Sequence, residues 1–158
     1  MKFKLNKEIE LTDEEVQEIV KQNSKPKGVE IKRWDNSEVI FTSTKQRMKE
    51  AVEEAVSKGV SLAYANLRFA DLSHTYLSYA DLSHAYLSYT DLSNTDLRFA
   101  NLSNAYLSHA DLHNTDLYNT NLSHADLYNA YLYGKEGTQK LTKDQVPDFL
   151  KALGFIIE

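Results

Sequence analysis

The chain has 158 residues with 18 basic and 23 acidic side chains, a formal net charge of −5, and no cysteine. That length is one domain's worth, and the missing thiols exclude disulfides and cysteine chemistry. No apolar run approaches the roughly 20 residues of a membrane-spanning helix, so no membrane partner is expected.

The amino-terminal lysines are followed by no hydrophobic block, so a secretory signal is not expected and a cytoplasmic location is. Lys2–Leu5 suggests a strand. Thr12 followed by Glu15 forms a capping box for a short helix ending near Gln22. Val29, Ile31 and the stretch Val39–Phe41 suggest two strands joined near Asp35-Asn36-Ser37. Thr44 is expected to cap a helix over about residues 45–58, with Gly59 as its stop and Met48, Ala51, Val52 and Ala55 at helical spacing. These elements make residues 1–59 a small α+β region whose last helix caps the segment beginning at residue 60.

From Leu62 to Leu132 every fifth residue is leucine, fifteen in succession, and the residue two before it is Ala or Thr fourteen times running, from Ala65 to Ala130. On a helix, leucines five apart wander around the surface; on a strand, an odd spacing turns alternate leucines outward. Neither buries them all, so a turn recurs in every pentad and the segment is a repeat solenoid. A period of twenty overlies the period of five. Thr75, Thr95 and Thr115 share one phase, and Ala65, Ala85, Ala105 and Ala125 another. Four sides per coil follow, giving nearly four coils and a rod about 18 Å tall.

Pentads such as Ala80-Asp81-Leu82-Ser83-His84, Ala100-Asn101-Leu102-Ser103-Asn104 and Ala125-Asp126-Leu127-Tyr128-Asn129 resemble the pentapeptide-repeat family over residues 60–134. The resemblance implies a mainly β fold, a right-handed quadrilateral β-helix with five residues per side. It also implies that Leu and the small residue point inward while the other three face solvent. Leu72, Leu82, Leu92, Leu102, Leu112 and Leu122 are then core. Inward threonines need acceptors, expected to be backbone carbonyls or one another. No Gly or Pro occurs between Ser61 and Tyr133, so turns demanding positive φ are disfavoured and mainly type I corners are expected, with Asn allowing exceptions.

Gly134 and Gly137 break the pattern and open a carboxy-terminal region, residues 135–158, read as a short helical cap. Its helix has Pro147 in the first turn and Gly154 after the last. The apolar tail Phe155-Ile156-Ile157 is expected either to seal the last coil or to meet a second subunit, so a monomer and an end-to-end homodimer both stay open.

Function has to be sought on the outward positions. Residues 1–60 and 135–158 are each electrically balanced, while the repeat sets Arg68 and Arg98 against seven aspartates. A rod carrying the whole net charge lacks the basic face that direct nucleic-acid binding needs. Asp71, Asp91 and Asp111 should stack as an acidic stripe, read either as a mimic of a phosphate backbone or as Asp in its favoured turn position. On the side of Leu67, Leu87, Leu107 and Leu127, the outward Phe69, Tyr86, Tyr89 and Tyr106, with Arg68 and His109 nearby, have the composition of a binding surface. Arg98 is expected over Tyr118 in the next coil as a cation–π contact. His74, His84, His109, His113 and His124 scatter over several sides and offer no convergent metal site. Neither a nucleophile elbow nor a phosphate-gripping glycine loop occurs, so no enzyme activity and no cofactor are expected.

Some pentapeptide-repeat proteins mimic DNA and bind type II topoisomerases such as DNA gyrase, and the resemblance implies that reading as an alternative. This repeat is shorter than those rods, has no projecting loop and carries leucine at every central position. The leading expectation is a non-catalytic scaffold or protein-binding rod with an unidentified protein partner.

Overall fold

The computed structural model describes residues 12–23, 28–132 and 146–152. The strand expected at Lys2–Leu5, the breaks at Gly134 and Gly137, Gly154 and the Phe155-Ile156-Ile157 tail lie outside the described residues. The first element is helix α1, Asp13–Asn23. Its capping box is complete: Thr12 N donates to Glu15 Oε2 (2.8 Å) and Glu15 N to Thr12 Oγ1 (3.3 Å).

Strands β1 (Glu30–Lys32) and β2 (Val39–Thr42) form an antiparallel hairpin with a register shift between Ile31 and Lys32. The connection runs through Asp35-Asn36-Ser37, with Ser37 left-handed at φ 63°. Helix α2 spans Met48–Ser57 and buries Ala51, Val52 and Ala55. It starts three residues later than expected: the capping position is Arg47, in extended backbone and without a side-chain cap, rather than Thr44. Ser43 accounts for this. Its hydroxyl accepts from Lys45 N and donates to Glu54 of the helix, which holds residues 43–45 in a turn. The end of the helix follows expectation. Gly59 sits at φ +69°, with Gly59 N donating to Val56 O (2.9 Å) and Val60 N to Ala55 O (3.0 Å), a Schellman closure.

Residues 62–132 wind as a ladder of parallel bridges, each joining residues twenty apart: Asp81 to Asn101 to Asn121, Asn66 to Tyr86 to Tyr106 to Asp126, Asp71 to Asp91 to Asp111 to Tyr131, and Tyr76 to Asp96 to Asp116. These four columns mark the first, second, third and fourth sides. Each side is too short for a strand and contributes a single bridge per coil. The leucines from Leu62 to Leu127 are all at most 2% exposed, and the small residues between them complete the same core. The threonine hydroxyls reach backbone carbonyls of the coil below: Thr90 to Leu67 O (2.8 Å), Thr95 to Leu72 O (3.0 Å), Thr115 to Leu92 O (2.7 Å) and Thr120 to Leu97 O (2.7 Å). Thr75, in the first coil, has no coil beneath it and donates to Leu72 O of its own turn (2.6 Å).

The corners differ from the expectation of type I turns. Each leucine carbonyl accepts from the N–H three residues on, as in Ala65 N to Leu62 O (3.0 Å). The third residue of each turn has positive φ, fourteen times from Tyr64 to Asn129. Type I requires about −90° there, whereas type II requires a positive value. The lack of glycine misleads because nine of the fourteen are Asn or His, residues enriched in the left-handed region. The other five are Tyr or Phe, and the contacts of their rings with the neighbouring coil offset the cost.

The amino-terminal end of the ladder is covered. Asn66 N donates to Lys32 O of β1 (2.7 Å), Trp34 N to Tyr64 O (3.0 Å) and Tyr76 N to Glu53 Oε1 of α2 (3.2 Å), while Lys49 reaches Ser73 O. Backbone groups that would pair with a lower coil thus find substitutes in the hairpin and helix. Later in the chain, helix α3 spans Val146–Ala152, and its Phe149 packs against the core.

Candidate partner-binding surface

The residue before each leucine and the two after it form three columns along every side. In the first of these columns, Asp or Asn accepts a hydrogen bond from the backbone N–H two residues on. Asp71 does so from Ser73 (3.0 Å), Asp91 from Ser93 (2.9 Å), Asp111 from His113 (3.0 Å) and Asn101 from Ser103 (3.1 Å). This local bond explains why Asp and Asn recur there. Asp71, Asp91 and Asp111 do stack in successive coils, but one oxygen of each is committed to its own turn.

Asp81 carries the most elaborate set of such bonds. Burial pushes its carboxyl up, but hydrogen bonds from Ser61 Oγ (2.6 Å), Ser83 and Asn101 outweigh this and hold it below the ordinary value of 3.8. Its folded pKa is therefore depressed, so its contribution is full at pH above about 4 and is lost as pH falls through the folded value. Removing a donor with Ser61→Ala should raise the Asp81 midpoint in a carboxyl NMR titration and move the onset of acid unfolding to higher pH. An unmoved midpoint would contradict the assignment.

On the second side the structure gathers Phe69, Tyr86, Tyr89 and Tyr106 into two ridges. One is a stack at the corner, Phe69 on Tyr89 (5.2 Å) and Tyr89 on His109 (4.7 Å, planes 4° apart). The other is Tyr86 edge-on to Tyr106 (5.7 Å). Between them lie Arg68, Ser88 and Ser108, with Ser88 Oγ 2.9 Å from Ser108 Oγ and Ser88 only 3% exposed. Phe69 is 65% exposed, so the corner ridge reaches solvent.

One member was not legible in the sequence. Trp34, in the hairpin connection, lies edge-on to Tyr86 (6.1 Å) and Tyr106 (5.6 Å) and donates its indole N–H to His84 O (2.8 Å). Nothing in the chain's pattern says over which side the hairpin folds. The fourth side, opposite, also bears aromatics: Tyr79 stacks on Phe99 (4.9 Å), and Tyr76 and Tyr79 are 75% and 74% exposed. There Arg98 does not take the cation–π position over Tyr118. Its fork grips Asp96 (2.9 and 2.7 Å) and approaches Asp116 (3.8 Å), because charge-assisted bidentate bonds outweigh an exposed ring contact. The Tyr118 ring instead meets Phe99 edge-on (5.7 Å).

Four of the five histidines, His74, His84, His109 and His124, occupy left-handed corners, which gives them a conformational role. His113 bonds Asp111 instead (2.8 Å). Among the described residues no three His, Asp or Glu converge as metal ligands, and no helix is long and apolar enough to cross a membrane.

A twenty-residue coil, a leucine column and side-chain ladders on the outside define a repeat β-solenoid. The sequence pattern of pentapeptide repeats matches in eight copies, over residues 65–98 and 96–134. The chain belongs to the pentapeptide-repeat family, whose members fold as right-handed quadrilateral β-helices. A pentapeptide repeat protein of Nostoc Pcc 7120 is 36% identical over 66% of this chain and 91% of its own, with a TM-score of 0.49. The pentapeptide repeat protein Rfr23 of the cyanobacterium Cyanothece 51142 is 31% identical over 47% of this chain and 56% of its own, at 0.27. One from the Arabidopsis thaliana thylakoid lumen is 21% identical, over 55% and 75%, at 0.32. No curated protein matches the chain.

Proposed function

We propose that the chain is a non-catalytic binding rod that contacts a protein partner through its second side. The observation that carries this reading is the double aromatic ridge, in which Trp34, Tyr86 and Tyr106 brace one another beside the Phe69–Tyr89–His109 stack. Rings held by their neighbours lose little conformational entropy on binding, which favours this side as a contact surface. The fourth side is the weaker candidate, since its arginine is already neutralised by Asp96 and Asp116.

The Asp71–Asp91–Asp111 stripe is accounted for by the turn chemistry of aspartate. It therefore lends no independent support to DNA mimicry directed at a topoisomerase.

Replacing Tyr86, Tyr89 and Tyr106 with Ser is expected to release the partner captured from native cells, while Tyr76→Ser with Tyr79→Ser leaves it bound. Melting curves of both variants separate lost binding from lost folding. A partner retained equally by all three proteins would contradict the proposal.

A further inference from the structure

We infer that Arg68 is the anchor of this surface and receives a carboxylate from the protein partner, an inference that rests on the binding-rod reading. The Arg68 guanidinium lies 4.5 Å from the Phe69 ring centroid, 5.2 Å from that of Tyr86 and 5.6 Å from that of Tyr89. It thus contacts both ridges. Contact with the faces of aromatic rings uses none of a guanidinium's in-plane N–H bonds.

Two other arginines show what such a fork does when a carboxylate is near. Arg33 grips Asp35 (2.8 and 2.5 Å) and Arg98 grips Asp96. Arg68 has no carboxylate within ion-pair distance among the described residues, although the repeat carries seven aspartates. A planar fork with no carboxylate partner of its own is shaped for bidentate recognition of a carboxylate. The flanking rings would shield that pair from water and favour an apolar residue beside the acid. A polyanion such as nucleic acid or an anionic membrane is disfavoured, because the rod itself carries the whole net charge of −5. A single Asp, Glu or chain-terminal carboxylate on a protein meets no such repulsion.

The test is a random displayed-peptide library selected on the full chain and counter-selected on the variant with Tyr86, Tyr89 and Tyr106 replaced by Ser. Enriched peptides should carry an acidic residue, or a free carboxyl terminus, beside an apolar one. Synthetic copies should lose affinity at least about tenfold when that carboxylate is amidated or when Arg68→Gln is introduced. Arg68→Lys, which keeps the charge without the fork, should recover only part of the loss. Enriched peptides without an acid, or acidic peptides that bind Arg68→Gln as tightly as the parent, would overturn the role of Arg68 and leave the aromatic surface standing. Failure to enrich any tyrosine-dependent peptide would overturn both.

Discussion

Leu102→Ala should destabilise the rod by about 2–5 kcal/mol, measured as a lowered midpoint in denaturant unfolding. Leu102 is 0% exposed and lies mid-stack, between Leu82 and Leu122 of the first side. Its N–H donates to Asn121 O above (2.8 Å) and its carbonyl accepts from Ala105 N (3.1 Å), so the backbone around the deleted side chain is pinned. A pinned wall relaxes little into a cavity, which argues for the upper part of that range. In a repeat array each coil is stabilised by its two neighbours, so the same change at the only partly buried Leu132 should cost less. Equal midpoints for the two variants would contradict the inward leucine column.

Asn104→Val should cost about 1–3 kcal/mol, whereas Asn104→Gly should be close to neutral. Asn104 has φ 58° and its N–H donates to Ser123 O (2.9 Å), so the corner cannot flip without breaking a ladder bond. A β-branched side chain is stiff and clashes in the left-handed region, while glycine adopts it freely at some expense in unfolded-chain entropy. The pair of substitutions isolates backbone conformation from packing, because the Asn104 side chain is outside the core. If Val proves as stable as Gly, the positive-φ corner is wrong.

These two sites mark where the chain's pattern suffices and where it stops. The leucine column follows from spacing, since no helix or strand buries every fifth residue. The twenty-residue coil is equally visible, in the phased Thr and Ala positions, and the parallel bridges confirm it. The box at Thr12 and Glu15 and the stop at Gly59 are also legible, because caps depend on a few adjacent residues. The corner is not. Without glycine or proline the sequence suggests negative φ, and only the closing of a square coil forces Tyr, Phe, His and Asn into the left-handed region. The start of α2 departs from its local signal for a similar reason. Thr44 has the right chemistry for a cap, but Ser43 draws the chain into a turn by bonding Glu54, eleven residues away.

The candidate surface divides in the same way. Phe69, Tyr86, Tyr89 and Tyr106 share a side by arithmetic on their numbers alone. That they form two braced ridges, with Arg68 across them and Trp34 against Tyr86 and Tyr106, depends on side-chain directions and on where the hairpin lies. The choice of Asp96 over Tyr118 by Arg98 is likewise a competition between partners in space. Periodicity in the chain therefore determined which residues face inward and which share a side, because burial repeats with the period of the backbone. Which outward groups touch, and whether Arg68 finds a carboxylate, was decided only by the tertiary structure, because those contacts depend on rotamers and on competition between near and distant partners that no local pattern encodes.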